Sequence, residues 1–230
     1  MYGARVVTMC AKWRDRVSYN MQTRNVNRRV EQREVRMSMK PWQCVLKRCL
    51  DVVCALVGLV MLSPVFLVIC IALWLQGEGS VLFSQERIGR GGRPFRIYKF
   101  RTMRPDAEPD GSQILYTEGD ERQTKVGAFL RNHHLDELPQ FWNVLTGEMS
   151  MVGYRPERRY FIDRIMEHDS RYQHLFQMRP GVTSEATLYN GYTDTMEKML
   201  ERLNMDLRYL ETATLCTDMR IILRTFGAMI

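Results

Sequence analysis

Residues Val52 to Leu75 read VVCALVGLVMLSPVFLVICIALWL, 24 positions without a charge. A straight helix rising about 1.5 Å per residue would reach roughly 36 Å along this run, enough for a hydrocarbon core of about 30 Å. The run starts too far into the chain, is too long, and lacks the small-residue cleavage site of a secretory signal. Runs of this length are rare inside water-soluble domains. Its middle sets how it meets the membrane. Pro64 has no N–H and its ring clashes with the carbonyl of Val60, while the Ser63 hydroxyl is placed to satisfy part of the freed backbone. A mild kink at Ser63-Pro64 leaves a spanning helix. A sharp break lets the segment dip into one leaflet and return. Hydropathy alone favours the crossing.

Outward from this run toward the N-terminus, Lys40 to Leu50 forms an interfacial approach with Trp42 as anchor. Residues 1–40 are polar and carry no clean helical or strand period; they read as a flexible basic leader able to touch anionic headgroups, and Met37 or Met39 is an alternative start. The charge is uneven. Ten of the 33 Lys/Arg and three of the 26 Asp/Glu lie in residues 1–40, a net of +7, which leaves 23 of each and a net of zero in residues 41–230. That excludes a generally basic nucleic-acid-binding domain. Six Cys without a CxxC pair exclude a disulfide scaffold and support no zinc site. The leader, with Lys47 and Arg48, places the N-terminal side in the cytoplasm, so a single crossing would put the remainder outside.

Toward the C-terminus, Gln76–Ser80 is a turn. Val81–Phe83 and Phe95–Phe100 read as strands of a β-hairpin around Gly89–Gly92. Residues 104–122 read as an acidic surface loop, Val126–Arg131 and Glu137–Leu145 as helices, Glu157–Phe176 as one amphipathic helix, residues 179–193 as irregular, and Thr195–Tyr209 and Thr212–Phe226 as helices.

Four constellations carry chemistry. Arg131-Asn132-His133-His134-Leu135-Asp136-Glu137-Leu138-Pro139-Gln140 holds two adjacent carboxylates between leucines. Helical neighbours point about 100° apart, so the two can take different jobs, one ligating Mg²⁺ and one attacking phosphorus; the plainer reading is a helix N-terminal charge pair. His133 and His134 suit surface or structural roles, since Mg²⁺ does not prefer imidazole. Arg87-Ile88-Gly89-Arg90-Gly91-Gly92-Arg93-Pro94, followed by Lys99-Phe100-Arg101, offers guanidinium and ammonium groups for bidentate phosphate binding, or a solvated turn facing anionic lipid. Arg155, held between Gly153 and Pro156, contacts phosphate or forms a buried salt bridge. Arg179-Pro180-Gly181-Val182-Thr183 is a rigid turn with one cation.

In this order the blocks resemble the bacterial sugar transferases, the monotopic phosphoglycosyl transferases that act on polyprenyl phosphate. The resemblance rests on Lys47-Arg48-x-x-Asp51, Ser63-Pro64, Phe83-x-Gln85-Glu86-Arg87-Ile88-Gly89, Phe95-x-Ile97-Tyr98-Lys99-Phe100-Arg101-Thr102-Met103, Leu135-Asp136-Glu137-Leu138-Pro139-Gln140-x-x-Asn143-Val144-Leu145, Gly147-x-Met149-Ser150-x-Val152-Gly153 and Arg179–Thr183, covering residue 47 to the C-terminus. It implies an α+β fold: a monotopic, re-entrant helix broken at Ser63-Pro64, then a small α/β domain with a β-hairpin and amphipathic surface helices. The domains expected are the basic leader 1–40, the interfacial and re-entrant helix 41–76, and a catalytic domain 77–230 on the cytoplasmic face of the bacterial inner membrane.

The resemblance also implies the reaction. A UDP-sugar binds with Mg²⁺, Asp136 attacks the β-phosphate and releases UMP, and polyprenyl phosphate, undecaprenyl phosphate in a bacterium, takes the phosphosugar. This would be the first membrane step of capsule, exopolysaccharide, O-antigen or glycoprotein glycan synthesis. Asp136 and Glu137 are the catalytic and metal-binding residues expected, with Arg131, Arg155, Arg101, Arg87 and Lys99 binding substrate or phosphate. UDP-sugar, polyprenyl phosphate and inner-membrane lipids are the partners, a homo-oligomer and downstream glycosyltransferases are allowed, and nucleic acid is not expected. Three positions depart from the family pattern: Tyr154 stands where a Pro is usual, Ser184 to Gly191 replace a Gly-containing continuation, and His133-His134 replace small hydroxyl residues. A membrane-anchored scaffold without chemistry is the alternative, and Asp136→Asn discriminates the two. A membrane-tethered nucleic-acid regulator is disfavoured by the zero net charge of residues 41–230.

Overall fold

The computed structural model of the protein describes residues 35–77, 79–107, 120–190 and 194–229. The leader up to residue 34 and positions 108–119 of the expected acidic loop lie outside these.

The apolar run folds as two helices, α1 (Pro41–Met61) and α2 (Ser63–Leu75), bent by 59° at the break. Pro41 sits at the first helical position, where a missing N–H is harmless, and the Lys40 N–H donates to Gln43 Oε1 at 2.8 Å. At the bend the Ser63 hydroxyl donates to the Val60 carbonyl at 2.8 Å, as its place before Pro64 predicts. Neither helix alone is long and apolar enough to cross a membrane; the bent pair together passes by length and composition. Val53, Leu56, Val57, Val60 and Met61 on α1, and Leu67, Val68, Ile71, Trp74 and Leu75 on α2, are exposed. Soluble monomers rarely leave so much apolar surface uncovered.

The opposite faces of both helices join the core. Asp51, buried on α1, accepts from the Ser150 hydroxyl at 2.8 Å and the Met151 N–H at 2.9 Å. Lys47 donates to the Val152 carbonyl and pairs with Asp218 at 2.6 Å. Arg48 donates to the carbonyls of Val144 and Leu145 in the last turn of a helix, where carbonyls lack full intrahelical partners. Lys47-Arg48-x-x-Asp51 is thus the fastening of α1 to the domain. Gly58 permits close packing there, because a Cβ would lie 2.7 Å from the Phe141 ring. On α2, Phe66 meets Phe100 edge-on at 5.3 Å.

The expected hairpin is present and its first strand is longer: β1 (Leu82–Ile88) pairs antiparallel with β2 (Pro94–Phe100), in register from Leu82↔Phe100 to Ile88↔Pro94. The turn uses Gly91 (φ 69°) and Gly92 (φ 71°), a conformation costly for other residues. Helix α3 (Lys125–Asn132) is capped by the Thr124 hydroxyl, which accepts from the Gly127 N–H at 3.0 Å. The helix expected over Glu137–Leu145 is shorter. Pro139 begins a helix more readily than it continues one, so α4 covers Gln140–Thr146 and the two carboxylates stay in a preceding 3-10 turn, Leu135–Glu137.

Two further expectations are corrected. Residues 157–176 are not one helix: α5 (Arg159–His168) stops at Asp169, whose carboxylate accepts from the Arg171 N–H at 3.0 Å and starts a 3-10 segment, Ser170–Gln177. Residues 179–193 contain order: β4 (Gly181–Thr183) pairs in parallel with β3 (Ser150–Val152), and α6 (Glu185–Tyr189) is capped by Ser184. Helices α7 (Met196–Thr212) and α8 (Leu215–Met229) complete the domain. The core joins Phe100, Leu130, Phe141, Val144, Met149 and Tyr209 to Ala55 and Leu73 of the apolar helices. The class is α+β. Ser38, assigned to the leader by sequence, is fixed here, its N–H on the Leu210 carbonyl and its hydroxyl on that of Ala213.

Candidate active site

The turn Leu135-Asp136-Glu137 joins α3 to α4. His134 precedes it in the left-handed region (φ 54°), a conformation uncommon outside glycine, and reverses the chain as it leaves α3. Leu138 and Pro139 are buried behind the turn. Both carboxylates are therefore placed by packed backbone.

Glu137 is clamped. Lys99 Nζ of β2 lies 2.5 Å from its Oε1, and Arg155 Nη2 lies 3.1 Å from the same oxygen. Burial works to raise the Glu137 pKa, but the Lys99 and Arg155 charges and their hydrogen bonds outweigh it and hold the carboxyl well below the usual carboxylate range. Asp136 is only 5% exposed and makes no ion pair among the described residues. Burial raises its pKa, opposed by Lys99 and, more weakly, by Arg131 and Arg155. Adjacent carboxylates are thus set apart: one fixed as an anion between cations, one desolvated and unpaired.

Three parts of the fold aim the cations. Asn143 of α4 accepts from the Tyr98 N–H at 3.1 Å and donates to the Arg96 carbonyl at 2.7 Å, which ties the dyad's helix to β2 and brings Lys99 alongside. Arg155 follows a backbone lock: the Gly153 N–H donates to the Thr183 carbonyl at 3.1 Å, and the Gly181 N–H to that of Tyr154 at 2.8 Å. A Cβ on Gly181 would sit 2.1 Å from the Gly153 nitrogen, so only glycine fits. The motifs around Arg155 and Arg179 are two sides of one clamp. Arg131 lies in the last turn of α3.

Of the five cations expected to bind phosphate, Lys99, Arg131 and Arg155 gather at the carboxylates. Arg87 stands behind them, paired with Glu157 at 3.1 Å. Arg101 belongs elsewhere: it lies one residue past the end of β2, is buried, and donates to the Leu73 carbonyl at 3.0 Å, fastening the end of α2. His133 and His134 are exposed, with the His133 ring stacked on Phe129. Sequence reasoning missed Glu157, which faces both Arg87 and Arg202; no local pattern marks a carboxylate whose partners lie in distant elements.

Tyr154, in place of the usual Pro, has a fully buried ring. Nearby Asp206 on α7 is also buried, and desolvation pushes its pKa up to about 8 against the opposing Arg202 charge. The unfolded value is about 3.9. Between these pH values the folded chain binds the extra proton, so this group lowers stability as pH rises and has no further effect above about 8. Asp206→Asn should therefore gain stability relative to the wild type from pH 5 to pH 9, read as a growing difference in urea midpoint.

Three cations around two carboxylates suit a polyanion such as a diphosphate. No group of three His, Cys, Asp or Glu side chains able to hold a metal occurs among the described residues. Mg²⁺ needs only one or two protein carboxylates when substrate phosphates and water complete its shell, and Asp136 with Glu137 fits that requirement.

Comparison with known proteins gives one consistent picture. The family model described as "Bacterial sugar transferase" matches residues 42–230. The UDP-glucose:undecaprenyl-phosphate glucose-1-phosphate transferase of Caulobacter vibrioides is 41% identical, over 80% of this chain and 69% of its own length. The UDP-N-acetylgalactosamine-undecaprenyl-phosphate N-acetylgalactosaminephosphotransferase of Aeromonas hydrophila is 35% identical, over 83% of this chain and 45% of its own. The exopolysaccharide production protein PSS of Rhizobium leguminosarum bv. phaseoli is 36% identical, over 79% of this chain and 93% of its own. The chain thus spans less than half of the Aeromonas relative and nearly all of the Rhizobium one.

Proposed function

The chain belongs to the bacterial sugar transferase family, and from that premise we propose that it moves a sugar-1-phosphate from a UDP-sugar to polyprenyl phosphate, releasing UMP. The observation that carries this reading is the divided dyad: Glu137 held as an anion by Lys99 and Arg155, beside a buried Asp136 with no ion pair. The names of the relatives support UDP-sugar donors and an undecaprenyl phosphate acceptor.

In this reading an Asp136 carboxylate oxygen attacks the β-phosphorus of the UDP-sugar. The bond to the bridging oxygen breaks, its electron pair leaves on UMP, and an acyl phosphate joins Asp136 to the sugar. A phosphate oxygen of the lipid then attacks the same phosphorus, and the Asp136 carboxylate is regenerated. Arg131 and Arg155 orient the diphosphate, and poor solvation of Asp136 keeps its oxygen reactive. Asp136 and Glu137 would hold Mg²⁺, which would supply the charge neutralisation that lets two anions meet.

The helix pair is read as re-entrant. Its first limb is fastened to the domain through Lys47, Arg48 and Asp51, and its second through Leu73 and Phe66. Both limbs rest on one body, which favours a segment that enters one leaflet and returns, with the catalytic domain on the cytoplasmic face of the inner membrane. Replacing Pro64 by Ala restores the N–H and removes the ring clash, so part of the population should straighten and span. A C-terminal reporter that stays wholly cytoplasmic in Pro64→Ala would take the break away from Pro64.

The reaction is tested by UMP release from the detergent-solubilised chain with Mg²⁺ over a panel of UDP-sugars, with and without polyprenyl phosphate. Lipid-dependent UMP from one sugar is the expected result, abolished by EDTA and restored by added Mg²⁺. Full activity in EDTA would remove the metal from the mechanism. No UMP with any sugar would count for a scaffold.

A further inference from the structure

Three basic motifs that the dyad does not use meet in one place. Arg48 of α1, Arg90 of the hairpin turn and Arg179 before β4 line a single cavity of about 60 Å³, closed on other sides by Met39, Met178 and Tyr209. Their anchoring leaves donors over. A guanidinium carries five N–H groups. Arg48 gives two bonds to the carbonyls of Val144 and Leu145, and Arg179 gives its Nε–H to that of Gly147 at 2.9 Å. Arg90 is exposed, and its side chain makes no hydrogen bond or ion pair among the described residues.

The local acids balance these charges only in part. Asp51 also lines the cavity and is its one counter-charge to the three arginines, its oxygens accepting from the Ser150 hydroxyl and the Met151 N–H. Lys47, a fourth cation on the wall, is matched by Asp218. Burial, then the Arg48 and Arg90 charges, push the Arg179 pKa down, with Asp51 opposing more weakly. Packing three cationic groups around one carboxylate leaves repulsion that a bound anion relieves. Planar guanidiniums converging from three elements match the oxygens of a phosphate.

We propose that this cavity is a second anion site, separate from the dyad, that takes the phosphate group of a phosphate ester or of phosphate itself. Its place at the foot of α1, beside the exposed Trp42, puts it within reach of lipid headgroups. The proposal stands whether or not the chain transfers sugars.

The test is thermal unfolding of the full chain in detergent with three probes: dioctanoyl phosphatidylglycerol, dioctanoyl phosphatidylcholine, and inorganic phosphate against chloride at equal ionic strength. The site predicts a midpoint about 3 °C higher with the anionic lipid than with the zwitterionic one, near tenfold saturation. Arg90→Gln and Arg179→Gln should each remove most of that difference. Arg93→Gln, exposed on the same turn and outside the cavity, should keep it. The Arg90 side chain bears no structural bond, so its variant carries the test even if Arg179→Gln fails to fold. The same pattern with inorganic phosphate alone identifies a soluble phosphate ligand, and its restriction to the lipid identifies a headgroup. No shift with any probe, or an equal loss in Arg93→Gln, overturns the proposal and leaves only diffuse surface charge.

Discussion

Asp136→Asn should lower UMP release by about a thousandfold or more while leaving the fold intact, because an amide cannot form the acyl phosphate. The stability expectation makes the result interpretable. Burial raises the Asp136 pKa, so the ionised form is the disfavoured one in the folded chain. A folded-state value above the unfolded one means that stability falls as pH rises through that window. The amide removes this penalty and keeps the shape. The variant should therefore unfold at or above the wild-type temperature near pH 7. Lost activity at unchanged midpoint assigns the loss to chemistry. A variant that keeps activity would leave the dyad as a charge pair and favour the scaffold.

The second large effect is expected at Glu137. Its carboxylate is shared by Lys99 and Arg155, with side chains 12%, 15% and 30% exposed respectively. Glu137→Gln leaves two partly buried cations facing a neutral amide, the situation in which removal of one ionic partner costs about 3–5 kcal/mol. The pH dependence has a definite sign. The folded pKa is held far below the unfolded value of about 4.3, so the stabilisation is fully present above that value and is lost only as pH falls through the folded one. The deficit of Glu137→Gln should be full at pH 7 and shrink in strong acid, measured by urea denaturation at each pH. Activity should fall by about a hundredfold or more, since Lys99 and Arg155 lose their aim and an oxygen proposed to hold Mg²⁺ is gone. Glu137→Asp keeps the charge and should recover part of the stability.

The parts of this architecture legible in the sequence are those written in consecutive residues. The charge-free run and its Ser63-Pro64 break, the hairpin around Gly91-Gly92 and the paired carboxylates each carry their cause locally. What escaped is set by distance along the chain. Asp169 stops α5 through a side-chain bond to the Arg171 N–H, and an amphipathic pattern continues past it unaware. Strands β3 and β4 have three residues each, too few to show a period, and are held by Gly153 meeting Gly181. Arg101 looked equivalent to Lys99 because both are cations two residues apart, yet β2 ends at Phe100 and Arg101 turns to the Leu73 carbonyl while Lys99 meets Glu137. Glu157 and Asp206 act through partners on other elements. The same limit applied to Arg48, Arg90 and Arg179, which lie in three separate motifs and meet in one cavity only in the fold.

The claim that Asp136 carries the sugar phosphate is tested most directly by supplying a UDP-sugar labelled at the β-phosphate with Mg²⁺ and no polyprenyl phosphate, then precipitating the chain. The account predicts label bound to the wild-type protein, absent from Asp136→Asn, and discharged when polyprenyl phosphate is added before precipitation. UMP release without any protein-bound label, or equal label on Asp136→Asn, would contradict it.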